Sequence, residues 1–395
     1  METSAEKIIE KIKRYSTEHK ARASGTQNVR SCIYRMAAEL FPCADRVAGE
    51  RFGFHPNAFA ASLPLMTVFE VTAELDVWLA YFLRSRALAA VNAVLLLIAF
   101  LILLFEFGLY KRPLDPLFPK REGLNLFAER KAEGETKRRI ILCAHADAAY
   151  EIPLMLKLKP RLFTVIVGTA LTGALALPVI GILNALGLFG SGTSLFLCIA
   201  ETAFLPSFLP FLFFTDWNTV VDGANDDLTG CGIILSVFHE LNERNIRFSH
   251  TDVCCLITDG EEAGLRGAMA FAEKHREKLK NSIVIVIDTI HDADELRVYH
   301  RGMNFTQRNS EEVCVLIQRA GSACGKEIMK TGFYPGANDA DAFSRCGVRA
   351  AAICAVPHKP SKYYHTRYDT WESLDAKSIE ITRKIVMKLL ELADE

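Results

Sequence analysis

The sequence has no excess of charge of either sign: 46 lysines and arginines face 47 aspartates and glutamates over 395 residues. That excludes the basic footprint by which a domain binds nucleic acid, and no run of like charge marks a tail. Nor is there a cysteine framework. The eleven cysteines fall at Cys32, Cys43, Cys143, Cys198, Cys231, Cys254, Cys255, Cys314, Cys324, Cys346 and Cys354, with no CxxC pair. An odd, irregular set reads as buried free thiols in a reducing compartment rather than as a secreted disulfide scaffold. The opening METSAEKIIEKIKRYSTEHK is charged and amphipathic and lacks the apolar stretch of a cleavable signal peptide.

What the sequence lacks locally is equally informative. ALAAVNAVLLLIAFLILLFEFGLY (87–110) carries one charge, Glu106, and is long enough to cross about 30 Å of hydrocarbon as a helix. In 162–215 the one formal charge is Glu201, and the small polar turn GSGT (190–193) divides the stretch into two lengths that can each span. The segment 57–83 is apolar but contains Glu70, Glu74 and Asp76, so its composition fits an interfacial or buried helix as well as a span.

Outside these stretches, apolar runs of strand length alternate with helix-like segments. The runs are RIILC (139–143), DVCCLI (252–257), IVIVI (283–287) and AAAICAV (350–356); the helical segments are 230–241, 268–279, 310–320 and 378–393. This alternation predicts an α/β fold with a mainly parallel central sheet and helices on both faces. Polar residues cluster just past the predicted strands: His145 and Asp147 after the first, Asp259, Glu261 and Glu262 after the second, Asp288 at the end of the third, His358 and His365 beyond the fourth. Open α/β sheets bind ligands at the carboxyl ends of their strands.

Each signal is weak alone. In HAD (145–147), Asp147 is a plausible acceptor for the second ring nitrogen of a metal-bound His145, but such a triplet also serves as a surface turn. In GANDDLTG (223–230), either Asp226 or Asp227 suits a helix cap, although adjacent carboxylates repel unless a cation lies between them. Glu261 and Glu262 point apart, so one can hold a metal while the other accepts a proton from water. Asp288 follows five β-branched residues, where an uncompensated carboxylate is costly. Together, two histidines and three or more carboxylates make a mixed nitrogen and oxygen set suited to a zinc pair.

The pieces CAHAD, GANDDLTG, ITDGEEAGLRGA, VIVIDTI, GANDADAF and YYHTRYDT stand in this order. In this the chain resembles the di-zinc exopeptidases of peptidase family M28, which includes bacterial leucyl aminopeptidases and the related glutaminyl cyclases. RASGTQNVRSCIYRMAAEL, from Arg22, resembles that family's N-terminal helix region. The resemblance implies two Zn2+ ions: one held by His145, Asp226 and Asp288, the other by Asp226, Glu262 and His365. It implies Glu261 as general base, Asp147 as partner of His145, and metal-assisted hydrolysis of a peptide without a covalent intermediate. Asp339 corresponds to the aspartate of a substrate-side loop, although Ala340 stands where a histidine often follows. The resemblance favours an aminopeptidase; a glutaminyl-cyclase-like acyl transferase and a non-catalytic membrane scaffold are the alternatives.

The apolar stretches then read as insertions into one catalytic domain, made of 1–56, 111–160 and 216–395. Because the domain is on one side of a bilayer, 57–110 and 161–215 must each contain an even number of spans, which makes 57–83 a span and gives about four. Arg51, Lys111, Arg112, Lys157, Lys159 and Arg161 flank the spans on the domain side, with Arg84 and Arg86 on the other. The positive-inside rule therefore predicts an integral multi-pass protein with its catalytic domain in the cytoplasm. Glu70, Glu74, Glu106 and Glu201 would face one another within the bundle or line a transport path. The oligomeric state is left open.

Overall fold

The computed structural model describes residues 4–190, 193–302, 307–332, 336–357 and 361–395. The chain divides into two units. The first comprises Met1–Pro56, Lys120–Glu151 and Asn218–Glu395, the second Asn57–Pro119 and Ile152–Trp217.

The first unit is built on an eight-stranded sheet of order β1-β2-β6-β3-β7-β10-β8-β9. Its strands are β1 (Arg46–Phe54), β2 (Arg121–Arg130), β3 (Arg138–His145), β6 (Thr251–Thr258), β7 (Ser282–Ile290), β8 (Arg297–Arg301), β9 (Met329–Gly332) and β10 (Arg349–Ala355); β4 (Tyr150–Glu151) and β5 (Asp216–Val220) form a separate pair. Strands β6, β3, β7 and β10 run parallel. These are the four apolar runs anticipated above, and β6 and β7 are buried along their whole length. A strand covered on both faces by helices has no solvent side, which is why such sequences do not alternate. The antiparallel pair β1 and β2 adds through β2 to β6, also antiparallel, and β8 adds to β10 antiparallel. The fold is mixed α/β with a large, mostly parallel sheet flanked by helices. The helices Ser4–Glu18, Gln27–Leu40, Leu228–Glu243 and Ala376–Asp394 contribute Ile8, Ile33, Ile234, Phe238 and Leu389 to the core beside Leu142, Ile285 and Ile353.

In the second unit, three helices among the described residues are long and apolar enough to cross a membrane: Arg86–Gly108, Pro160–Ala185 and Leu195–Phe213. The fourth segment, expected to be a span, forms the helix Ser62–Leu83 over 22 residues; its length suffices, but Glu70, Glu74 and Asp76 keep it out of that class. Arg84 closes it with a left-handed backbone (φ 49°) and Ser85 caps the next helix, accepting from the Leu88 N–H. Leu75, Phe82, Val94, Val165, Leu175 and Phe196 are exposed, whereas Glu70, Glu74, Asn92 and Glu201 are buried. Asn92 Nδ2 donates to both Glu201 oxygens, at 3.0 and 3.1 Å, and to the Ala73 carbonyl. Trp78 Nε1 and the Thr202 hydroxyl donate to Glu74 Oε1 at 2.9 and 2.6 Å. Apolar outside and polar inside is the reverse of a bundle folded in water.

Candidate metal centre

β3 ends on His145, and its ring is buried. Nε2 lies 3.1 Å from Asp226 Oδ1, and Nδ1 lies 3.1 Å from the Asp147 carbonyl and 3.5 Å from the Asp147 carboxylate. The other oxygen of Asp226, Oδ2, is 3.1 Å from His365 Nε2, which is itself 3.4 Å from Glu262 Oε2. Asp226 thus presents one oxygen to each histidine. Glu261 Oε2 is 3.9 Å from His145 Nε2. The donor atoms of His145, Asp226 and Glu262 lie within 4.8 Å of one another, as do those of His145, Asp227 and Asp288.

The two adjacent aspartates have different work. Asp227 is the cap of Leu228–Glu243: Oδ1 accepts from the Gly230 and Thr289 N–H groups at 2.9 and 3.2 Å, and Oδ2 accepts from the His145 N–H at 3.2 Å. One buried carboxylate therefore joins the Asp226 loop to the ends of β3 and β7, and its oxygens are committed to amides. Gly230 permits this approach, since a Cβ there would stand 2.1 Å from the Ile287 carbonyl oxygen and 2.7 Å from the Asp227 carboxylate.

Asp147 does more than face His145. Its Oδ2 accepts from the Ser24 hydroxyl at 2.7 Å and the Glu262 N–H at 3.2 Å, and its Oδ1 accepts from the Glu261 N–H at 3.3 Å. It therefore fixes the turn from which the two glutamates diverge. Asp259, grouped with the possible ligands by sequence, is instead structural: it accepts from the Gly25 and Leu124 N–H groups at 3.0 and 3.3 Å. Asp288 accepts from its neighbour Thr289 Oγ1 at 2.8 Å. Asp339 accepts from the Thr258 hydroxyl through Oδ2 at 2.7 Å, and its Oδ1 is buried with no hydrogen-bond partner among the described residues. His358 lies outside the described residues.

Two positioning groups escaped sequence reasoning. Asp369, four residues after His365, is fully buried and accepts from the Asn225 N–H at 2.7 Å and the Asp226 N–H at 3.2 Å, clamping the loop of one ligand to that of another. Arg22 is also fully buried; it donates to the carbonyls of Ala146 (2.9 Å), Asp222 (2.7 Å) and Gly223 (3.2 Å). Arg22→Ala takes away the donors it brings to the Ala146 and Asp222 carbonyls, while Gly223 keeps the Leu228 N–H, and is expected to cost on the order of 2 kcal/mol, read as a lower denaturant midpoint.

The electrostatics call for a cation. Burial drives the Glu261 carboxyl well above the usual range; His145 opposes this, and Glu262, Asp288 and Asp339 add to it. Burial likewise raises Glu262 to about 8 and Asp288 to about 7, with the Asp226 charge contributing to each. Burial alone would lower His365, but Glu262 and Asp226 carry it up to about 9. Glu262 Oε1 is buried with no hydrogen-bond partner among the described residues. Two imidazoles, several buried carboxylates and an orphaned carboxylate oxygen make a donor set that fits zinc.

Residues 211–390 match the model of peptidase family M28. Over those residues the chain is similar to an M28 peptidase domain. Its fold is shared by three solved structures: an aminopeptidase from Aneurinibacillus sp. strain AM-1 (12% identity, TM-score 0.60, covering 99% of this chain and 94% of that one); an Acidobacteriales bacterium glutaminyl cyclase (14%, 0.57, 100% and 96%); and a Zn-dependent exopeptidase from Parabacteroides distasonis ATCC 8503 (12%, 0.56, 98% and 97%). No curated protein matches the chain. The M28 match indicates a zinc metallopeptidase, with candidate metal positions around His145 and Asp226.

Proposed function

We propose that the chain is a membrane-embedded di-zinc exopeptidase that removes N-terminal residues from peptides. The observation that carries this reading is the placement of Asp226, whose two oxygens each lie 3.1 Å from a different histidine. A carboxylate so disposed suits a bridge between two cations. His145, Asp226 and Asp288 would hold one ion, and Asp226, Glu262 and His365 the other. Bound zinc supplies Lewis-acid polarisation of the scissile carbonyl and a lowered pKa for water. Glu261 takes the proton from the attacking water as the C–O bond forms, then delivers it to the amine nitrogen as the C–N bond breaks. Asp147 keeps Glu261 and Glu262 on their separate tasks by holding both main-chain N–H groups.

Asp339 is assigned to the substrate side, where its unpartnered Oδ1 suits a cationic amino group. Asp339→Asn is expected to lower kcat/KM roughly tenfold to a hundredfold, the worth of one charge-assisted hydrogen bond, mainly through KM. The apolar exterior and polar interior of the second unit support the membrane reading, and the basic residues flanking the spans favour a cytoplasmic catalytic unit. The protein is therefore expected to stay in the membrane pellet after alkaline carbonate washing.

A second reading, a glutaminyl-cyclase-like acyl transferase, draws on the equal structural closeness of the Acidobacteriales bacterium enzyme. Digestion of a peptide library by the zinc-loaded protein, read by mass spectrometry, separates the two. Loss of N-terminal residues supports the exopeptidase; loss of ammonia from N-terminal glutamine with every peptide bond intact supports the cyclase.

A further inference from the structure

The chain leaves the first unit for its second insertion directly after Glu151. Glu151 is 1% exposed, an expensive place for a carboxylate unless donors meet it. Donors come from a residue 216 positions away: Glu151 Oε1 accepts from the Arg367 main-chain N–H at 2.9 Å and from its Nε at 2.8 Å, while Oε2 accepts from Nη2. Arg367 is the second residue after His365. One carboxylate thus fixes both the backbone and the side chain of the loop that presents the histidine.

The rest of that loop is anchored on both sides. Asp369 holds the Asn225 and Asp226 N–H groups, and the Thr366 hydroxyl bonds back to the Lys362 and Tyr363 carbonyls. Between these ties His365 has a left-handed backbone, φ 52°, a conformation that persists where its surroundings impose it. An ion pair with a buried carboxylate and an exposed arginine is poor evidence for stability in its own right. Its location here, spanning from the exit of the insertion to the loop of a candidate ligand, gives it another use.

We infer that Glu151 is a positioning residue for the metal centre, setting His365 through Arg367 and making the departure point of the insertion part of the scaffold of the site. The inference rests on the di-zinc reading above. Groups that orient metal ligands are typically worth tenfold to a hundredfold in metal affinity or activity. In Glu151→Gln, the amide NH2 meets a guanidinium donor, so part of the fork is lost while the shape is kept.

The test is chelator competition on the full-length, zinc-loaded protein in detergent, well below its melting temperature, with kcat and KM measured in parallel. Glu151→Gln is expected to release one zinc equivalent with an affinity weakened tenfold to a hundredfold, and to lower kcat with little change in KM. Arg367→Lys, which alters only the exposed partner, is expected to show the same change in smaller measure and serves if Glu151→Gln does not fold. Variants that melt lower yet retain both zinc ions with wild-type affinity would overturn the inference and leave the di-zinc reading standing. A wild-type protein that binds no zinc would remove that reading, and this inference with it.

Discussion

Glu261→Gln is expected to lower kcat by roughly 10²- to 10⁴-fold, the usual contribution of a positioned general base, while leaving zinc content unchanged. The glutamine is nearly isosteric, and the Glu261 main-chain N–H remains bonded to Asp147 Oδ1 at 3.3 Å, so the turn keeps its shape. What is lost is the capacity to take and return a proton. Glu262→Gln should behave differently, since that side chain is assigned to a metal; it is expected to lose zinc along with activity. Parallel measurements of turnover and metal content on the two variants distinguish base from ligand. Equal zinc loss in both would place Glu261 among the ligands and sink its assignment.

Removing zinc is expected to have the second largest effect, and its size should depend on pH. In the metal-free protein burial raises Glu262 to about 8 and Asp288 to about 7, while neighbouring carboxylates raise His365 to about 9. Their unfolded values are about 4.3, 3.9 and 6.5. Each folded value exceeds the unfolded one, so the folded state binds more protons in between. The stability these groups confer is complete below the unfolded values and is lost as pH rises through the folded ones. The metal-free protein should therefore weaken from about pH 4 to about pH 9. Zinc takes its ligands deprotonated, so its affinity grows over the same window. At a thousandfold excess over Kd, a single bound ion adds about 4 kcal/mol. Melting curves with and without zinc should diverge steadily from pH 5 to pH 9; a constant or narrowing gap would contradict the arrangement.

The parts of this fold that the sequence made legible are those governed by local pattern. β6 and β7 are unbroken apolar runs because both faces are covered, and the candidate ligands follow them because ligands gather at strand ends. The strands toward the two sides of the sheet were harder to read. β1, RVAGERFGF, is half exposed and carries two glycines, and β8 and β9 have only five and four residues. In the site, the distinction between Asp226 and Asp227 depended on family resemblance, since neighbouring aspartates before a helix look alike. In the fold Asp227 accepts from three N–H groups of three segments, a contrast with Asp226 that no local spacing reveals. Arg22 and Asp369 were missed for the same reason: their partners lie 124 and 144 residues away. The carboxylates of Ser62–Leu83 obscured a helix whose polar face turns inward. Composition records that Glu70 and Glu74 are present, but not that they are buried.

Two cations sharing Asp226 are the core of the proposed centre. Anomalous scattering at the zinc edge, from crystals of the zinc-loaded protein, tests this directly. Two peaks should appear, one beside His145, Asp226 and Asp288 and the other beside Asp226, Glu262 and His365, with one Asp226 oxygen directed at each. A single fully occupied peak, or two peaks with Asp227 rather than Asp226 between them, would contradict it.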